Sequence, residues 1–250
     1  MKLLEGKVAI ITGGSKGMGE AHTRKFIDEG AKVVIGDVDV KNGQKLAEDL
    51  GDNSIFIELD VTNPESWDLL VKKAKETFGT IDILVNNAGL AGGVSGLLEM
   101  EADLYKKIID INQFGIFNGM RAVLPIMIEK SAGAIINISS LAGLRASAEV
   151  NPAYTASKFA VRGLTKQAAY EFADKNIRIN SILPGAILTP MAQETLTSEQ
   201  IDEVSQMLPM KRFANPNEVS DVLAFLASEK ASYVNGTDII VDGARDTIIK

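Results

Sequence analysis

Tyr154 and Lys158 lie four residues apart at the start of a predicted helix, so their side chains project from one helix face. That helix follows a predicted strand at residues 134–138, and two hydroxyl-bearing residues, Ser139 and Ser140, come directly after the strand. Because the carboxyl ends of parallel strands line the ligand crevice of an α/β protein, we expect these hydroxyl and amine groups to lie beside a bound ligand. The alternative is an ordinary solvent-exposed helix face.

Other kinds of side-chain chemistry are restricted, because the sequence contains no cysteine and a single histidine, His22. Without cysteine there are no disulfides, no thiolate nucleophiles and no Cys-ligated zinc or iron–sulfur sites. With one histidine, histidine-based triads and multi-histidine metal sites lack their parts as well, and we expect no metal. The chemistry must therefore use hydroxyls, amines, carboxylates or a bound organic cofactor.

A glycine-rich turn near the N-terminus is the second feature with chemical meaning. Gly13, Gly17 and Gly19 follow a predicted strand at residues 8–11 and open a predicted helix that ends near Gly30. Glycine allows a tight turn and the close approach of a pyrophosphate to backbone N–H groups at a helix N-terminus. The spacing G-x-x-x-G-x-G differs from the G-x-G-x-x-G of many dinucleotide sites, so a turn without a ligand is the alternative.

Asp37, at the end of the second predicted strand, indicates which dinucleotide is bound. A carboxylate about 20 residues after the glycines accepts hydrogen bonds from the ribose hydroxyls of NAD and repels the additional phosphate of NADP. Lys16, inside the glycine turn, is the contrary signal, since a basic side chain could meet that phosphate. We expect Lys16 to be solvated and Asp37 to decide, which favours NAD over NADP.

The elements that position these residues alternate between short apolar strands and helices. Predicted strands lie at residues 8–11, 33–35, 55–59, 81–85, 134–138, 177–183 and 238–241, and predicted helices include 41–50, one that starts at 62–65, and 154–174. Strands that alternate with helices need crossover connections, which give a mostly parallel sheet covered on both faces. We predict an α/β fold with a single domain over residues 1–250, a doubly wound parallel sheet of about seven strands, and one irregular excursion at 184–216.

Composition and charge exclude several partners. Lys and Arg number 26 and Asp and Glu number 33, so the net charge is −7, and nucleic acids or anionic membranes would require a clustered positive field. No run approaches the roughly 18 apolar residues of a membrane span, and the N-terminus lacks the apolar stretch of a signal peptide. We expect a cytoplasmic protein without nucleic-acid or membrane partners.

Seven short motifs occur along the chain, between about residues 7 and 243. They are Thr12-Gly13-x-x-x-Gly17-x-Gly19, Asp60-Val61, Asn86-Asn87-Ala88-Gly89, Asn112, Ser139-Ser140, Tyr154-x-x-x-Lys158 and Pro184-Gly185. In this order they resemble the short-chain dehydrogenases/reductases, in the compact single-domain branch called classical. The resemblance implies a Rossmann-type fold and hydride transfer between a nicotinamide cofactor and an alcohol or ketone.

The resemblance assigns catalytic roles to four residues. It implies that Tyr154 is the acid or base, that Ser140 hydrogen-bonds the substrate oxygen, that Lys158 bonds the nicotinamide ribose, and that Asn112 places a water that relays protons. A free phenol titrates near 10, so work near neutrality requires the Tyr154 pKa to fall by about three units, roughly 4 kcal/mol. A unit charge about 4 Å away, in a medium of dielectric constant about 20, supplies about that much. We expect the Lys158 ammonium to provide it, helped by the positive nicotinamide ring of the oxidised cofactor.

The resemblance also implies the cofactor contacts. Asp60 and Val61 resemble the contact to the adenine edge, the turn after the fourth strand lies beside the adenosine ribose, and the segment after the sixth strand faces the nicotinamide. The full set of expected cofactor-binding residues is Gly13, Ser15, Lys16, Gly17, Met18, Gly19, Asp37, Asp60, Val61, Asn87, Ala88, Gly89, Tyr154, Lys158, Pro184, Gly185, Ile187 and Thr189.

One departure from the family pattern bears on the catalytic hydroxyl. Thirteen residues separate Ser140 from Tyr154, one more than is usual in the family. Either the loop at 141–153 bulges or the register shifts. In the second case Ser139 is the alternative catalytic hydroxyl.

The excursion resembles the substrate lid of the family, at about residues 186–214. A soft apolar wall suited to a hydrophobic, hydroxysteroid-like substrate is expected from these residues. They are Met191, Leu196, Met207, Leu208 and Met210 of the lid, with Leu90, Val94, Leu144 and Val150 elsewhere. The alternative is that the lid residues only pack the lid on the domain.

The sequence is most similar to NAD-dependent hydroxysteroid and secondary-alcohol dehydrogenases. 3-Oxoacyl-[acyl-carrier-protein] reductases and sugar dehydrogenases share the motifs and are the alternatives within the family. A non-catalytic NAD-binding regulator is the alternative from a different class. Such a regulator would tolerate the loss of Tyr154, Lys158 or Ser140, and all three are present.

Family members usually form tetramers, so we expect a homotetramer assembled through helices around 103–128 and 154–174. Asp242-Gly243-Ala244 stands where Asp-Gly-Gly is common, at another expected subunit contact. The residues expected to form apolar interface stripes are Ile108, Ile111, Phe114, Val161 and Leu164.

Overall fold

Seven parallel strands form one sheet in the computed structural model, which describes residues 2–189 and 197–247. The strands are β1 (Val8–Thr12), β2 (Lys32–Asp37), β3 (Ser54–Glu58), β4 (Ile83–Asn86), β5 (Gly133–Ile138), β6 (Ile177–Pro184) and β7 (Asp238–Val241). Their order across the sheet is β3-β2-β1-β4-β5-β6-β7, and every neighbouring pair is parallel. The predicted α/β fold with a doubly wound parallel sheet is confirmed.

Helices connect the strands. They are α1 (Gly17–Asp28), α2 (Val40–Leu50), α3 (Pro64–Phe78), α4 (Ala102–Ile109), α5 (Gly115–Glu129), α6 (Pro152–Glu171), α7 (Ser198–Met207) and α8 (Pro216–Ala227). A π-helical turn, Asp110–Phe114, joins α4 to α5. The starts of α3 and α6 are fixed by Asn63 and Asn151, whose side chains accept backbone N–H groups just before a proline, a combination that favours a helix N-terminus.

Two apolar cores cover the two faces of the sheet, because successive residues of a strand point to opposite sides. On one face, Ile11 of β1 belongs to the same core as Phe26 of α1. On the other face, Ile10 of β1 shares a core with Trp67 of α3 and Val161 of α6. The two cores cover the faces of the sheet and not the carboxyl ends of its strands.

The order of the strands reverses between β1 and β4. The chain runs from β1 outward through β2 and β3 on one side, and from β4 through β7 on the other. Helices leave the sheet in opposite directions at such a point, which opens a crevice beyond the strand ends. The glycine turn after β1 and the Asn86-to-Gly89 turn after β4 therefore lie side by side at this crevice.

Among the site-forming elements whose observed boundaries differ from the predicted ones are β4 and α6. The fourth strand, predicted at 81–85, is Ile83–Asn86, because the Asp82 side chain accepts the N–H of Val8 at 2.8 Å and pairs with Lys130 before the strand begins. The helix predicted at 154–174 is Pro152–Glu171. Its earlier start brings Tyr154 into the first turn.

The predicted lid is described in part. Residues 186–189 and 197–214 are described, and the second range contains α7. Met191 and Leu196 of the expected apolar wall lie outside the described residues. Across residues 2–189 and 197–247, no helix combines the length and the apolarity that crossing a membrane requires.

Candidate active site

The glycine turn between β1 and α1 is too crowded for side chains. Gly13 and Gly17 have φ angles of 60° and 57°, a region that residues other than glycine rarely adopt. A Cβ atom on Gly19 would lie 1.9 Å from the carbonyl oxygen of Gly13. Since α1 begins at Gly17 and continues through Met18, the turn brings a ligand against the N–H groups of a helix N-terminus, where phosphate binds favourably.

Thr12 and Asn87 join this turn to the end of β4. The Thr12 hydroxyl accepts the N–H of Asn87 at 3.0 Å and the N–H of Ala88 at 2.9 Å. In return, the Asn87 amide donates to the carbonyl oxygens of Thr12 and Gly13 at 2.9 and 3.1 Å. The Asn87 side chain, expected to contact the cofactor, is thus engaged with the chain itself and positions the glycine turn.

Ser15 provides a test of whether a dinucleotide fits this turn. Its side chain is 3% exposed, and its hydroxyl has no hydrogen-bond partner among the described residues. A buried polar atom without a partner is destabilising unless a ligand satisfies it. The hydroxyl also lies near α2, since a Cβ atom on Gly43 would be 2.8 Å from it. The residues present therefore fit a dinucleotide, which the N–H groups of the turn and the Ser15 hydroxyl would hold.

Two carboxylates, Asp37 and Asp39, lie at the carboxyl end of β2 beside the glycine turn. The two oxygens of Asp37 accept the backbone N–H groups of Ser15 and Asp39, each at 3.0 Å. Asp39 caps α2 and forms a 2.5 Å ion pair with Lys16. Hydrogen bonds from Lys16 and from Asn42 lower the pKa of Asp39 to about 2. Lys16 is therefore paired with a carboxylate, and not merely solvated as expected.

Asp60 and Val61, the expected adenine contact, form a turn after β3. Asp60 accepts the N–H and the hydroxyl of Thr62 at 2.9 and 2.7 Å. The Val61 carbonyl accepts the indole N–H of Trp67 at 3.0 Å and an amide N–H of Asn118 at 3.1 Å. This role of Trp67 could not be predicted from the sequence, because an isolated tryptophan carries no signal of where its N–H points.

The expected nicotinamide segment leaves the sheet at the carboxyl end of β6. Pro184 is buried, and Gly185 donates its N–H to the carbonyl of Val241 at 2.9 Å. The backbone then turns at Ile187, whose carbonyl accepts the N–H of Thr189 at 3.0 Å. Ile187 and Thr189 are both half-buried, at the same edge of the sheet as the glycine turn.

Tyr154, Ser140 and Lys158 converge at the carboxyl end of β5. The hydroxyls of Tyr154 and Ser140 are hydrogen-bonded to each other. The Lys158 ammonium lies 5.4 Å from the centroid of the Tyr154 ring and donates to the carbonyl of Ile138 at 2.8 Å. The strand end and the first two turns of α6 thus supply one hydroxyl, one phenol and one ammonium to the same place.

Burial governs the protonation of both α6 groups. It raises the pKa of Tyr154, and the hydrogen bond to Ser140 acts in the opposite direction with a smaller effect. It also lowers the pKa of Lys158 to about 8. The expected lowering of the Tyr154 pKa is therefore not found in this geometry, because desolvation of the phenolate dominates. Near neutral pH the free protein holds a protonated phenol beside a charged Lys158.

The two adjacent serines have separate surroundings. The Ser139 hydroxyl is buried and donates to the carbonyl of Lys158 at 2.9 Å. The Ser140 oxygen accepts the N–H of Ala142 at 3.2 Å and also bonds to Tyr154. The additional residue in the 141–153 loop therefore does not displace Ser140 from the site, and Ser139 faces the helix backbone.

Asn112 lies fully buried in the π-helical turn between α4 and α5, a kind of distortion that is frequent at functional sites. Its amide donates to the Leu90 carbonyl at 3.0 Å and to the Ser157 hydroxyl at 3.1 Å, and its oxygen accepts the Leu90 N–H at 2.7 Å. A Cβ atom on Gly89 would lie 3.4 Å from the Asn112 oxygen and 3.8 Å from the Lys158 nitrogen. Asn112 and Lys158 thus approach each other across Gly89.

Comparison with known proteins agrees with this geometry. A family model described as "Enoyl-(Acyl carrier protein) reductase" matches residues 13–244. The 3-alpha-(or 20-beta)-hydroxysteroid dehydrogenase of Mycobacterium tuberculosis is 42% identical over 240 residues, which cover 96% of this chain and 89% of the relative. The chain belongs to the short-chain dehydrogenase/reductase family.

Other members of this short-chain dehydrogenase/reductase family match over the same length. The 2,5-dichloro-2,5-cyclohexadiene-1,4-diol dehydrogenase LinX of Sphingobium indicum is 38% identical over 243 residues, 96% of each chain. A crystal structure of levodione reductase superposes with a TM-score of 0.93 at 32% identity, and covers 98% of this chain and 100% of that one. The expected resemblance is confirmed: the chain is an oxidoreductase acting on CH–OH groups, of a family that uses NAD(P).

The lid residues of this short-chain dehydrogenase/reductase pack toward β7. Leu208 and Met210 line a cavity of about 420 Å³ whose wall includes Ile240 and Gly243. Met207, also expected in the substrate wall, is 66% exposed. Leu208 is 7% exposed, as the packing alternative requires, whereas Met210 is 57% exposed at the cavity.

The expected interface stripes are also only partly exposed. Ile108 and Val161 are 0% exposed. Val161 belongs to the core on one face of the sheet, whereas Ile108 packs under the chain after β4, where a Cβ atom on Gly92 would lie 2.4 Å from it. Phe114 is 50% exposed, and Phe117 and Phe159, which the sequence analysis did not name, are 38% and 44% exposed.

Proposed function

We propose that this short-chain dehydrogenase/reductase interconverts a cyclic secondary alcohol and its ketone with NAD(H). The observation that carries the proposal is the convergence of Tyr154, Ser140 and Lys158 at the carboxyl end of β5. Relatives named for a hydroxysteroid and for a cyclohexadienediol support a hydroxyl group borne on a ring.

The acid–base step belongs to Tyr154. The bound nicotinamide supplies or accepts a hydride at the substrate carbon. In ketone reduction Tyr154 donates its phenolic proton to the carbonyl oxygen while Ser140 hydrogen-bonds the same oxygen, and in alcohol oxidation the phenolate takes that proton back. The raised pKa of Tyr154 favours the protonated phenol, so the free enzyme is prepared for the reductive direction.

Lys158 and Asn112 support this step in different ways. Lys158 uses one ammonium hydrogen on the Ile138 carbonyl, which leaves two for the ribose hydroxyls and a relay water. The Asn112 amide is engaged with the Leu90 carbonyl and the Ser157 hydroxyl. We therefore propose that Asn112 places the relay water by fixing the backbone around it.

NAD is the proposed cofactor, in preference to NADP. Asp37 and Asp39 place two carboxylates after β2, where an additional ribose phosphate would meet negative charge. Lys16, the basic residue of the glycine turn, pairs with Asp39, so its charge is already compensated. The proposed contacts are those expected from the sequence, with Asn87 acting through the glycine turn.

Acyl thioesters and sugars are the rival substrates within the family, and the matching family model is named for an acyl-carrier-protein reductase. A panel of one hydroxysteroid, simple ring alcohols, 3-oxoacyl and enoyl thioesters, and sugars would be followed by the absorbance of the reduced nicotinamide with both cofactors. We expect the highest turnover with NAD(H) on a ring alcohol or its ketone. Turnover confined to thioesters or sugars would overturn the substrate assignment. An absence of turnover with every substrate would favour a non-catalytic NAD-binding regulator.

Tyr154→Phe tests the mechanism, because it removes the phenolic hydroxyl and keeps the ring. We expect turnover to fall by about 10²- to 10⁴-fold, the usual contribution of a general acid or base, with NADH affinity unchanged in a fluorescence titration. Tyr170→Phe is the matched control, since Tyr170 lies on the same helix and is 85% exposed. Undiminished turnover of Tyr154→Phe would exclude Tyr154 as the acid or base.

We also propose a homotetramer. Exposed aromatic side chains on the expected interface helices, among them Phe114 and Phe159, support it. Light scattering at micromolar concentration is expected to give four times the mass of the chain, and a monomeric mass would contradict the assembly. A cytoplasmic location stays a prediction.

A further inference from the structure

Asn151 sits immediately before the helix that carries Tyr154 and Lys158, and it is 1% exposed. Its side-chain oxygen accepts the backbone N–H of Tyr154 at 2.8 Å. Its own carbonyl accepts the N–H of Thr155 at 3.2 Å. The backbone position of Tyr154 is therefore set by a hydrogen bond to the Asn151 side chain.

The other half of the same side chain holds a different segment. The Asn151 amide nitrogen donates to the carbonyl oxygens of Ala91 at 2.7 Å and Gly93 at 2.9 Å. Gly92 and Gly93 have φ angles of 76° and 77°, and a Cβ atom on Gly92 would lie 2.4 Å from Ile108 and 3.1 Å from the Asn151 nitrogen. The two glycines thus let the chain after β4 fold around the Asn151 amide.

This segment is also held at its other end. Leu90 is bound through both its N–H and its carbonyl by Asn112. Two buried asparagines from separate elements therefore hold residues 90–93 between them. An ordinary N-cap needs the oxygen contact alone: Asn63, the cap of α3, is exposed and accepts the N–H of Glu65 at 2.9 Å.

We propose that Asn151 is a positioning residue, whose carboxamide fixes the separation between Tyr154 and residues 90–93 and so orients the phenol toward the substrate oxygen. The inference rests on the proposed role of Tyr154 as the acid or base. Its physical basis is that a displacement of about 1 Å in a reacting group can cost about 100-fold in rate.

Two substitutions distinguish the contribution of the Asn151 side-chain oxygen from that of its amide nitrogen. In Asn151→Ser, the hydroxyl still accepts the N–H of Tyr154, because serine is a good N-cap, but it cannot reach the carbonyls of Ala91 and Gly93. In Asn151→Ala both halves are lost. We expect kcat to fall by about 10-fold in the serine variant and about 100-fold in the alanine variant. The matched control is Asn63→Ala, which removes a helix cap that contacts neither Tyr154 nor residues 90–93, and we expect it to leave kcat unchanged.

Three readouts separate positioning from a merely structural role. The fraction of protein that binds NADH, titrated by fluorescence, corrects kcat for any unfolded molecules. The primary deuterium isotope effect with a ring alcohol deuterated at the carbinol carbon is expected to rise, since a misoriented site makes the chemical step more rate-limiting. Amide hydrogen exchange at residues 90–93 is expected to accelerate in both variants and to stay unchanged in Asn63→Ala.

The outcomes distinguish this inference from the proposed function. If Tyr154→Phe is inactive while Asn151→Ser keeps the unmodified kcat and isotope effect, the proposed acid or base stands and Asn151 is only a cap. If Tyr154→Phe is active, the proposed function fails, and exchange at residues 90–93 alone reports whether Asn151 holds that segment. Loss of kcat with a higher isotope effect in Asn151→Ser, at a normal NADH-binding fraction, supports the positioning role.

Discussion

The Ser139 hydroxyl donates to the Lys158 carbonyl oxygen across 2.9 Å, in the interior between β5 and α6. This bond ties the end of the strand to the backbone of the residue whose ammonium serves the site. The neighbouring serine points the other way, because successive residues of an extended chain face opposite sides, and its hydroxyl bonds to Tyr154. We therefore expect these two adjacent serines to differ in role, with Ser139 contributing to stability and Ser140 to catalysis.

Replacing each serine by alanine is predicted to have a different effect at the two positions. Ser140→Ala should lower kcat by about 100-fold, the scale of one lost hydrogen bond to a reacting oxygen, with little change in unfolding free energy because the residue is half-buried. Ser139→Ala should cost about 1–2 kcal/mol of unfolding free energy, since the buried Lys158 carbonyl loses a partner. Steady-state kinetics and urea unfolding measure the two effects. The reverse pattern would make Ser139 the catalytic hydroxyl.

Cofactor choice is predicted to depend on Asp39 as well as on Asp37. Asp39→Asn removes the charge that compensates Lys16, so kcat/KM with NADP⁺ should rise by about 3- to 10-fold, a modest gain because an exposed pair is weak. Asp37→Ala should weaken NAD⁺ binding and relax the exclusion of NADP⁺. The measurement is kcat/KM for each cofactor with the same ring alcohol.

The Lys16 contribution is isolated by combining Asp39→Asn with Lys16→Gln. The double variant should lose the gain with NADP⁺, because the cation that would meet the phosphate is gone. Equal gains in the single and double variants would show that Asp39 acts by its own charge. An unmodified enzyme that prefers NADPH would contradict the cofactor assignment as a whole.

The sheet could be predicted from the sequence because strands buried on both faces contain continuous apolar runs, as at β1 and β2. The limits of β4 could not, since Asn86 is polar and yet belongs to the strand. Its amide donates to the Asn137 side chain of β5 at 2.8 Å in the interior. A pair of asparagines on neighbouring strands satisfies both residues, and only the register of the sheet shows that they face each other.

The residues of the site could be predicted as types and spacings, but their interactions could not. Lys16 and Asp39 come from different turns, so their ion pair depends on how α2 packs beside the glycine turn. The protonation of Tyr154 depends on how deeply α6 buries its hydroxyl, which reversed the expected direction of the pKa shift. Asn151 carried no motif, although an asparagine before a proline and a helix is a recognisable cap.

The rate of ketone reduction is predicted to fall above about pH 8. Burial lowers the pKa of Lys158 to about 8, so its ammonium is charged below that pH and neutral above it. Tyr154, with its raised pKa, stays protonated over the same interval and does not cause the fall. The measurement is kcat/KM with NADH between pH 6 and about 9.5, with each sample re-assayed at neutral pH to exclude denaturation. In Lys158→Arg the fall in kcat/KM should move to higher pH, whatever the residual rate of the variant, because a guanidinium stays charged. A fall at the same pH would show that another group titrates there.

His22 is predicted to make the fold less stable as the pH falls below about 6.5. Its Nδ1 lies 2.7 Å from the Ser220 hydroxyl, which donates to the Pro216 carbonyl at 3.1 Å, so Nδ1 is the donor of the shorter bond. Burial lowers the pKa of His22 to about 3, whereas an unfolded histidine titrates near 6.5. Between these values the unfolded chain binds the additional proton, so the unfolding free energy should drop by up to about 1.4 kcal/mol per pH unit.

Because His22 is the single histidine of the sequence, urea unfolding of the unmodified protein and of His22→Gln between pH 6 and about 5 isolates this effect. The glutamine variant should show a shallower dependence on pH, and parallel curves would show that the ring is already protonated in the folded state.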